Sequence, residues 1–438
     1  MRMKRLGSFL SVVVLALAST WTFPARGGLD EYLKKPDPAY AWTFEGTTTV
    51  PGATIHRLKL TSQVWQGITW THGISIVEPT EITYPDAMLL FITGGKTGDG
   101  PRSGDLAVGI AFAKVCRARV AVLPQVPNQP LLGGKFEDTL IAETFVRYLE
   151  TKDEDWPLLF PMVKSAVRAM DAVQAFAKER KAPVERFVVT GASKRGWTTW
   201  LTGAVDPRVK AIAPMVIPTL NFKAQNKHQL ENFGKYSDQI DDYTARGLME
   251  KLDTPEGTRL WHMVDPLSFR DRLTMPKLQI NGTNDPYWTL DSMNLFWDDL
   301  KGPKYVVYLP NASHGLDQHR DYATYGVGAI FRNAIGGMPL PELSWKHGDA
   351  DTGALQLSVT SNPAPKSALL WTATSDSLDF RKSKWSSIPL KVGTSMAGEV
   401  ARPAKGNVAL FADLEYESEG LSYHLSTQLR QTNVRPTP

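Results

Sequence analysis

At 438 residues, with 42% hydrophobic and 21% charged content, the chain can bury a large core and is longer than one ordinary domain. Its formal charge is +4, and Arg2, Lys4 and Arg5 at the very start account for three of those charges, so neither a nucleic-acid-binding nor a membrane-surface protein is indicated. The sole cysteine, Cys116, excludes an intrachain disulfide.

Residues 1–26 read as a signal peptide, with a basic start, an apolar run over residues 9–17 and small residues including Ala16 and Ala18. The run is shorter than the roughly 20 residues a membrane span needs. Export to the periplasm or the extracellular space is therefore expected, with no stable membrane insertion after processing.

Strand-like stretches follow at 56–60, 69–77 and 87–92, the last ending in Thr93-Gly94-Gly95. Next come a helical pattern at 104–114 carrying Cys116 just beyond it, a strand at 119–123, and helical patterns at 140–149 and 163–178. The apolar run from Phe187 leads through a glycine-flanked turn at Ser193 into a further helix. Strands at 209–217, 277–280 and 305–309 complete the series, with helices after the last two. Apolar strands alternating with amphipathic helices predict a mostly parallel sheet covered on both faces, with the first strands as antiparallel additions at one edge. Between about 219 and 275 the alternation stops and an aromatic, acidic stretch predicts an inserted cap. From 341 to 438 short strands at 354–360, 368–374, 408–412 and 421–426 predict a small β-sandwich. The expected organisation is thus an α/β domain over 27–340 with a cap, then a β-domain over 341–438.

The segment Phe187-Val-Val-Thr-Gly-Ala-Ser-Lys-Arg-Gly196 reads as a nucleophile elbow, in which a sharp strand-to-helix turn exposes a serine and aims helix N–H groups at a developing oxyanion. It departs from G-x-S-x-G in having Arg195 two residues after Ser193 and glycine only at 196. A serine needs a base, and of eight histidines His314, in the loop beyond the 305–309 strand, is best placed. His319 is the alternative. Asp285, after the 277–280 strand, supplies the acid that would orient the imidazole, with Asp291 as fallback. The order Ser193, Asp285, His314 is that of the α/β-hydrolases. The turn at Gly94 and Gly95 can offer a second oxyanion N–H. The Gly95-Lys96-Thr97 tail mimics a phosphate-binding loop, but the required first glycine would fall at Leu90. Lys194 and Arg195 either stabilise an oxyanion or attract an acidic substrate, or are solvated residues of a first helical turn. Trp197, Tyr287 and Trp288 are further substrate-binding candidates. No metal-ligand cluster or dinucleotide fingerprint is present, and no metal or cofactor is implied.

These residues carry a resemblance. Leu29-Asp-Glu-Tyr-Leu33, Gln125-Val-Pro-Asn-Gln-Pro130, Gly191-Ala-Ser-Lys-Arg-Gly-Trp197, Asn281-Gly-Thr-Asn-Asp-Pro-Tyr-Trp288 and Asn311-Ala-Ser-His-Gly315 resemble the PhoPQ-activated pathogenicity-related proteins, exported bacterial members of the α/β-hydrolase superfamily. The resemblance implies the α/β-hydrolase fold and places Ser193, Asp285 and His314 at triad positions. The elbow is also similar to the Gly-Cys-Ser-Arg-x-Gly of glucuronoyl esterases, which implies an oxyanion role for Lys194; Ala192 and Trp197 depart from that pattern. The expected function is an exported serine hydrolase acting on a small ester, with a short-peptide peptidase or a non-catalytic peptide- or glycan-binding envelope protein as alternatives. The sequence leaves the oligomeric state open.

Overall fold

The computed structural model describes residues 28–432, so the expected leader at 1–26 lies outside the described residues. Strands β1 (Ala41–Val50), β2 (Ala53–Trp65), β3 (Ile68–Pro79), β4 (Ala87–Ile92), β5 (Arg119–Leu123), β6 (Arg186–Ala192), β7 (Val209–Met215), β8 (Lys277–Gly282) and β9 (Lys304–Leu309) form one nine-stranded sheet in the order 1-2-3-5-4-6-7-8-9. Pairs from β5 through β4, β6, β7 and β8 to β9 are parallel, while β1, β2 and β3 join one edge antiparallel, as the sequence predicts. The central strands are apolar because both faces are covered: every residue of β5 is buried. Strand β1 escaped the sequence reading because most of its residues are exposed, leaving little apolar alternation to detect.

The helices are α1 (Leu29–Lys34), α2 (Ser103–Cys116), α3 (Glu137–Thr151), α4 (Leu159–Glu179), α5 (Lys194–Val205), α6 (Phe222–Phe233), α7 (Asp241–Thr244), α8 (Pro255–Val264) and α9 (Arg320–Gly336). On one face α4 and α5 bury Met170, Val173, Trp200 and Leu201 with Leu58, Leu90 and Val189 of the sheet. On the other, α2 and α9 bury Phe112, Val327 and Ile330 with Leu89, Val120 and Val307. Cys116 ends α2 fully buried, and burial pushes its thiol far above the ordinary range, so it is an inert core residue. Between β7 and β8 the chain is mostly helical: Phe222 of α6 and Val264 of α8 meet Trp197 of α5, while Tyr243 of α7 packs on Phe145 of α3.

After α9 come β10 (Glu342–Asp349), β11 (Leu355–Asn362), β12 (Ser367–Ser375), β13 (Ser386–Pro389), β14 (Ser395–Val400), β15 (Asn407–Ser418), β16 (Leu421–Ser426) and β17 (Arg430–Gln431). They form a three-stranded antiparallel sheet of β10, β11 and β14 and a five-stranded one of the remainder. Leu357 and Val359 of the first and Leu370, Leu410 and Leu414 of the second share a core that continues into Val307 and Leu309 of β9 and into α9. This β-unit is therefore welded onto the edge of the large sheet beside the loops that follow β8 and β9.

Candidate active site

Ser193 occupies the turn between β6 and α5 with φ 58° and ψ −126°, a conformation costly for a residue with a Cβ and typical of functional turns. Its backbone N–H donates to the carbonyl of Met215, 2.9 Å away on β7, which fixes the turn to the sheet. The displaced glycine has a steric reason. A Cβ on Gly196 would lie 2.7 Å from Ile217 Cγ2, 2.9 Å from the Met215 carbonyl oxygen and 3.0 Å from that of Gly191. At Gly191 a Cβ would lie 2.8 Å from the Arg195 carbonyl oxygen. Glycine is required where α5 crosses closest to β6 and β7, and in this chain that is three residues after the serine.

The loops after β8 and β9 bring the expected acid and base together. His314 Nδ1 lies 2.7 Å from Asp285 Oδ2, so the carboxylate accepts the Nδ1 proton and leaves Nε2 as the basic nitrogen. Asp285 is buried and its Oδ1 accepts from the Tyr287 N–H at 2.9 Å. The Tyr287 ring lies 4.1 Å from that of His314. Among the described residues no hydrogen bond joins Ser193 Oγ to His314, a contact that in unliganded sites commonly tightens only with substrate. The alternatives are engaged elsewhere. His319 packs against Tyr322 and Trp371, and Asp291 accepts from His228 Nε2 at 2.6 Å.

The β-unit grips both loops. Asn284, beside Asp285, donates from Nδ2 to the carbonyls of Arg381 at 3.2 Å and Ser383 at 2.7 Å. Asn311 donates to the Trp385 carbonyl at 3.2 Å and accepts from the Trp385 N–H at 2.8 Å. The Asn311 N–H in turn donates to Thr283 Oγ1 at 2.8 Å, tying the two loops to each other. Both asparagines lie in motifs the sequence reading singled out, but nothing local to them could disclose partners 70 to 100 positions away.

Lys194 and Arg195 are not solvated. Lys194 is 6% exposed, with Nζ 2.9 Å from Glu137 Oε2 and 3.0 Å from Asp138 Oδ2. Arg195 holds Glu137 with both terminal nitrogens and donates from Nε to the Val126 carbonyl at 2.5 Å. Glu137 also accepts from Gln129 Nε2 at 2.5 Å. Burial works against its charge, but Arg195 and then Lys194 outweigh it and hold the carboxyl well below the usual carboxylate range. Asp138 accepts from the Tyr243 hydroxyl at 2.9 Å. Sequence reasoning missed both acids; their only signal was an acidic first turn on α3, which also suits a helix N-terminus by itself.

Ser193 lines a pocket beneath the cap with a cavity volume of about 50 Å³. Trp197, Phe222, Tyr243, Trp261, Tyr287 and Trp288 wall it, with Lys194 and Asp138 at one side. Trp197 is anchored by its Nε1, which donates to the Val264 carbonyl at 2.6 Å. Of the expected substrate-binding residues, Trp197, Tyr287 and Trp288 line this pocket and Arg195 does not. Nor do Gly94 and Gly95: a Cβ on Gly94 would lie 2.5 Å from Arg195 Nη2, and one on Gly95 3.7 Å from Gln125 Cγ. The Arg195 guanidinium therefore packs against the side of Gly94 where a side chain would stand.

A sheet in this order, with a serine elbow after β6, an acid after β8 and a histidine after β9, defines an α/β-hydrolase fold. The chain belongs to the PhoPQ-activated pathogenicity-related protein family, whose profile matches residues 29–381. It is 35% identical over 398 residues to Autocrine proliferation repressor protein A of Dictyostelium discoideum, covering 86% of this chain and 80% of that one. Among solved structures it is similar to acetyl xylan esterase 1 from Thermoanaerobacterium sp., with a TM-score of 0.50 at 15% identity over 69% of this chain and 93% of that one. An acetyl xylan esterase from Paenibacillus sp. R4 gives 0.47 at 15% identity, over 68% and 90% of the respective chains.

Proposed function

We propose that the protein is an exported serine hydrolase acting on carboxylic esters. The observation that carries the reading is the 2.7 Å His314–Asp285 pair on the same sheet edge as a serine held at φ 58°. In this reading His314 Nε2 takes the Ser193 proton as Oγ attacks the ester carbonyl, and Asp285 stabilises the imidazolium. The tetrahedral oxyanion is held at the N-terminus of α5, where the Lys194 N–H points out of the helix. Collapse expels the alcohol, which receives the proton from His314, and water releases the acid by the reverse sequence. The Gly94–Gly95 turn is the candidate for a second oxyanion N–H.

A fluorophosphonate probe tests this directly: peptide mapping is expected to find the label on Ser193, and a folded protein that resists labelling or is labelled elsewhere removes the reading. Hydrolysis of a panel of acyl esters and aminoacyl amides then separates esterase from peptidase. Export is supported by the basic, apolar and small-residue pattern of residues 1–18; N-terminal sequencing of the secreted or periplasmic protein is expected to begin beyond Ala18.

The Dictyostelium relative, named as an autocrine repressor of proliferation, favours a second reading in which the chain acts as an extracellular signal without turnover. Ser193→Ala discriminates: a signalling effect that survives the substitution belongs to the surface, and one that disappears belongs to the chemistry.

A further inference from the structure

Three cations gather at the end of the sheet remote from Ser193. Arg117 stands just before β5 and Ser193 just after β6, and β5, β4 and β6 run parallel, so the two lie at opposite ends of the strands. Arg117 caps the C-terminus of α2 at φ 51° and Lys114 lies in its last turn. Arg332 reaches the same place from α9, donating from Nε to the Val115 carbonyl at 2.7 Å. The C-terminus of a helix carries about half a negative charge, which offsets only part of three positive ones.

Neither arginine has a carboxylate partner. Arg332 Nη1 and Arg117 Nη2 converge on one oxygen, the Glu419 carbonyl, at 3.3 and 3.4 Å. That carbonyl belongs to the tight turn Glu419-Gly420 between β15 and β16, with φ of 51° and 72°. A neutral oxygen orients two guanidinium groups but cancels neither charge. Arg332 is 3% exposed, and the other buried arginine among the described residues, Arg119, has Glu78 Oε2 at 2.6 Å. Burial first and the Arg117 charge next lower the Arg332 pKa, as expected for a cation short of a counter-ion.

All three cations border an open cavity of about 700 Å³, a size usual for small-molecule sites. Tyr325, 40% exposed, and Ile110 give it an apolar wall. Arg332 Nη2 has no hydrogen-bond partner among the described residues and is not sealed from solvent. Arg117 commits only Nη2. Two carboxylates are near, Glu81 on the lining and Glu419 on the turn, both exposed. Neither forms an ion pair with the three cations among the described residues, so positive charge stays in excess. Guanidinium forks suit the oxygens of a phosphate or sulfate group, and an ammonium adds a point charge beside them.

We propose that this cavity binds a phosphate or sulfate monoester, with the oxyanion held by Arg117, Arg332 and Lys114 and the organic body lying along Tyr325 and Ile110. The site is separate from the pocket at Ser193 and does not depend on the hydrolase reading.

Calorimetry on the full-length Ser193→Ala protein tests it with glucose 6-phosphate, glucose 6-sulfate, inorganic phosphate and glucose. Both esters are expected to bind at least about tenfold more tightly than inorganic phosphate, because the body adds contacts, and glucose more weakly still. The tighter ester identifies the preferred oxyanion. Adding Arg117→Gln with Lys114→Gln is expected to weaken ester binding by about tenfold or more. Lys114→Gln alone, at an exposed position, should cost about threefold and keep the fold intact. Removing two exposed lysines elsewhere, Lys178→Gln with Lys227→Gln, should leave affinity unchanged. Esters that bind no more tightly than inorganic phosphate or glucose, or a loss as large in the distant pair as in the Arg117 and Lys114 pair, overturn the proposal.

Discussion

Arg195 and Glu137 form a two-pronged ion pair, Nη1 and Nη2 each 2.7 Å from one oxygen of the carboxylate. Glu137 opens α3 at φ 48°, so the clamp joins one unfavourable backbone conformation to the helix that begins beside another, Ser193 at φ 58°. The charge of Glu137 is thereby a structural part of the elbow.

Glu137→Gln is accordingly expected to lower stability in a pH-dependent way. A carboxyl whose folded pKa is depressed contributes stability present above its unfolded pKa, about 4.3, and lost as pH falls through that value toward the depressed one. Thermal melts should show wild type well above the variant at pH 7, with the gap narrowing steadily as pH falls below about 4. A gap that does not narrow below about pH 4 would mean that packing, not charge, makes the difference.

Lys194→Ala leaves Asp138, partly buried, without its cation. Breaking a fully buried pair costs about 3–5 kcal/mol and this one less, whereas kcat of the folded variant is expected to fall by no more than about tenfold, since the ammonium is held by carboxylates. Denaturant unfolding and kinetics on one sample decide this. A loss of 10²-fold or more in kcat at unchanged stability would assign the charge to the oxyanion.

His314→Ala should reduce turnover by several orders of magnitude, as removal of a triad member does, while His319→Ala should leave it nearly unchanged. Equal losses in both would return His319 to consideration as the base.

Gly196→Ala forces a methyl against the Met215 and Gly191 carbonyls. Overpacking at such a site costs about 1–3 kcal/mol, and the shift of α5 should slow fluorophosphonate labelling of Ser193. Wild-type labelling at wild-type stability would show that the crossing has slack.

Asn311→Ala removes the side chain that bridges the His314 loop to Trp385. A loop displaced by about 1 Å can cost on the order of 10² in rate, so kcat is expected to drop by tenfold to a hundredfold with KM little changed and the melt of the large sheet preserved. Unchanged kcat would mean the β-unit is not needed to hold the Asp285 and His314 loops.

Much of this was legible along the chain. Buried central strands and amphipathic helices have short-range periodicities, so the parallel sheet, the antiparallel edge and the strand ends at which Ser193, Asp285 and His314 emerge could be read from residue pattern alone. Strand β1 could not, because an exposed edge strand has little apolar alternation. The site's electrostatics were invisible for another reason: Lys194 and Arg195 look like free cations until α3, more than 50 positions earlier, brings Glu137 and Asp138 against them. Equally, Gly94 and Gly95 follow the right strand, yet only the packing of Arg195 decides what lies beside them. The sequence determined which residues carry reactive groups and on which sheet edge they emerge, since both follow from local conformation. Which charges are cancelled, which donors stay free and which loops the β-unit clamps were decided by tertiary structure, because these depend on contacts between segments remote in the chain.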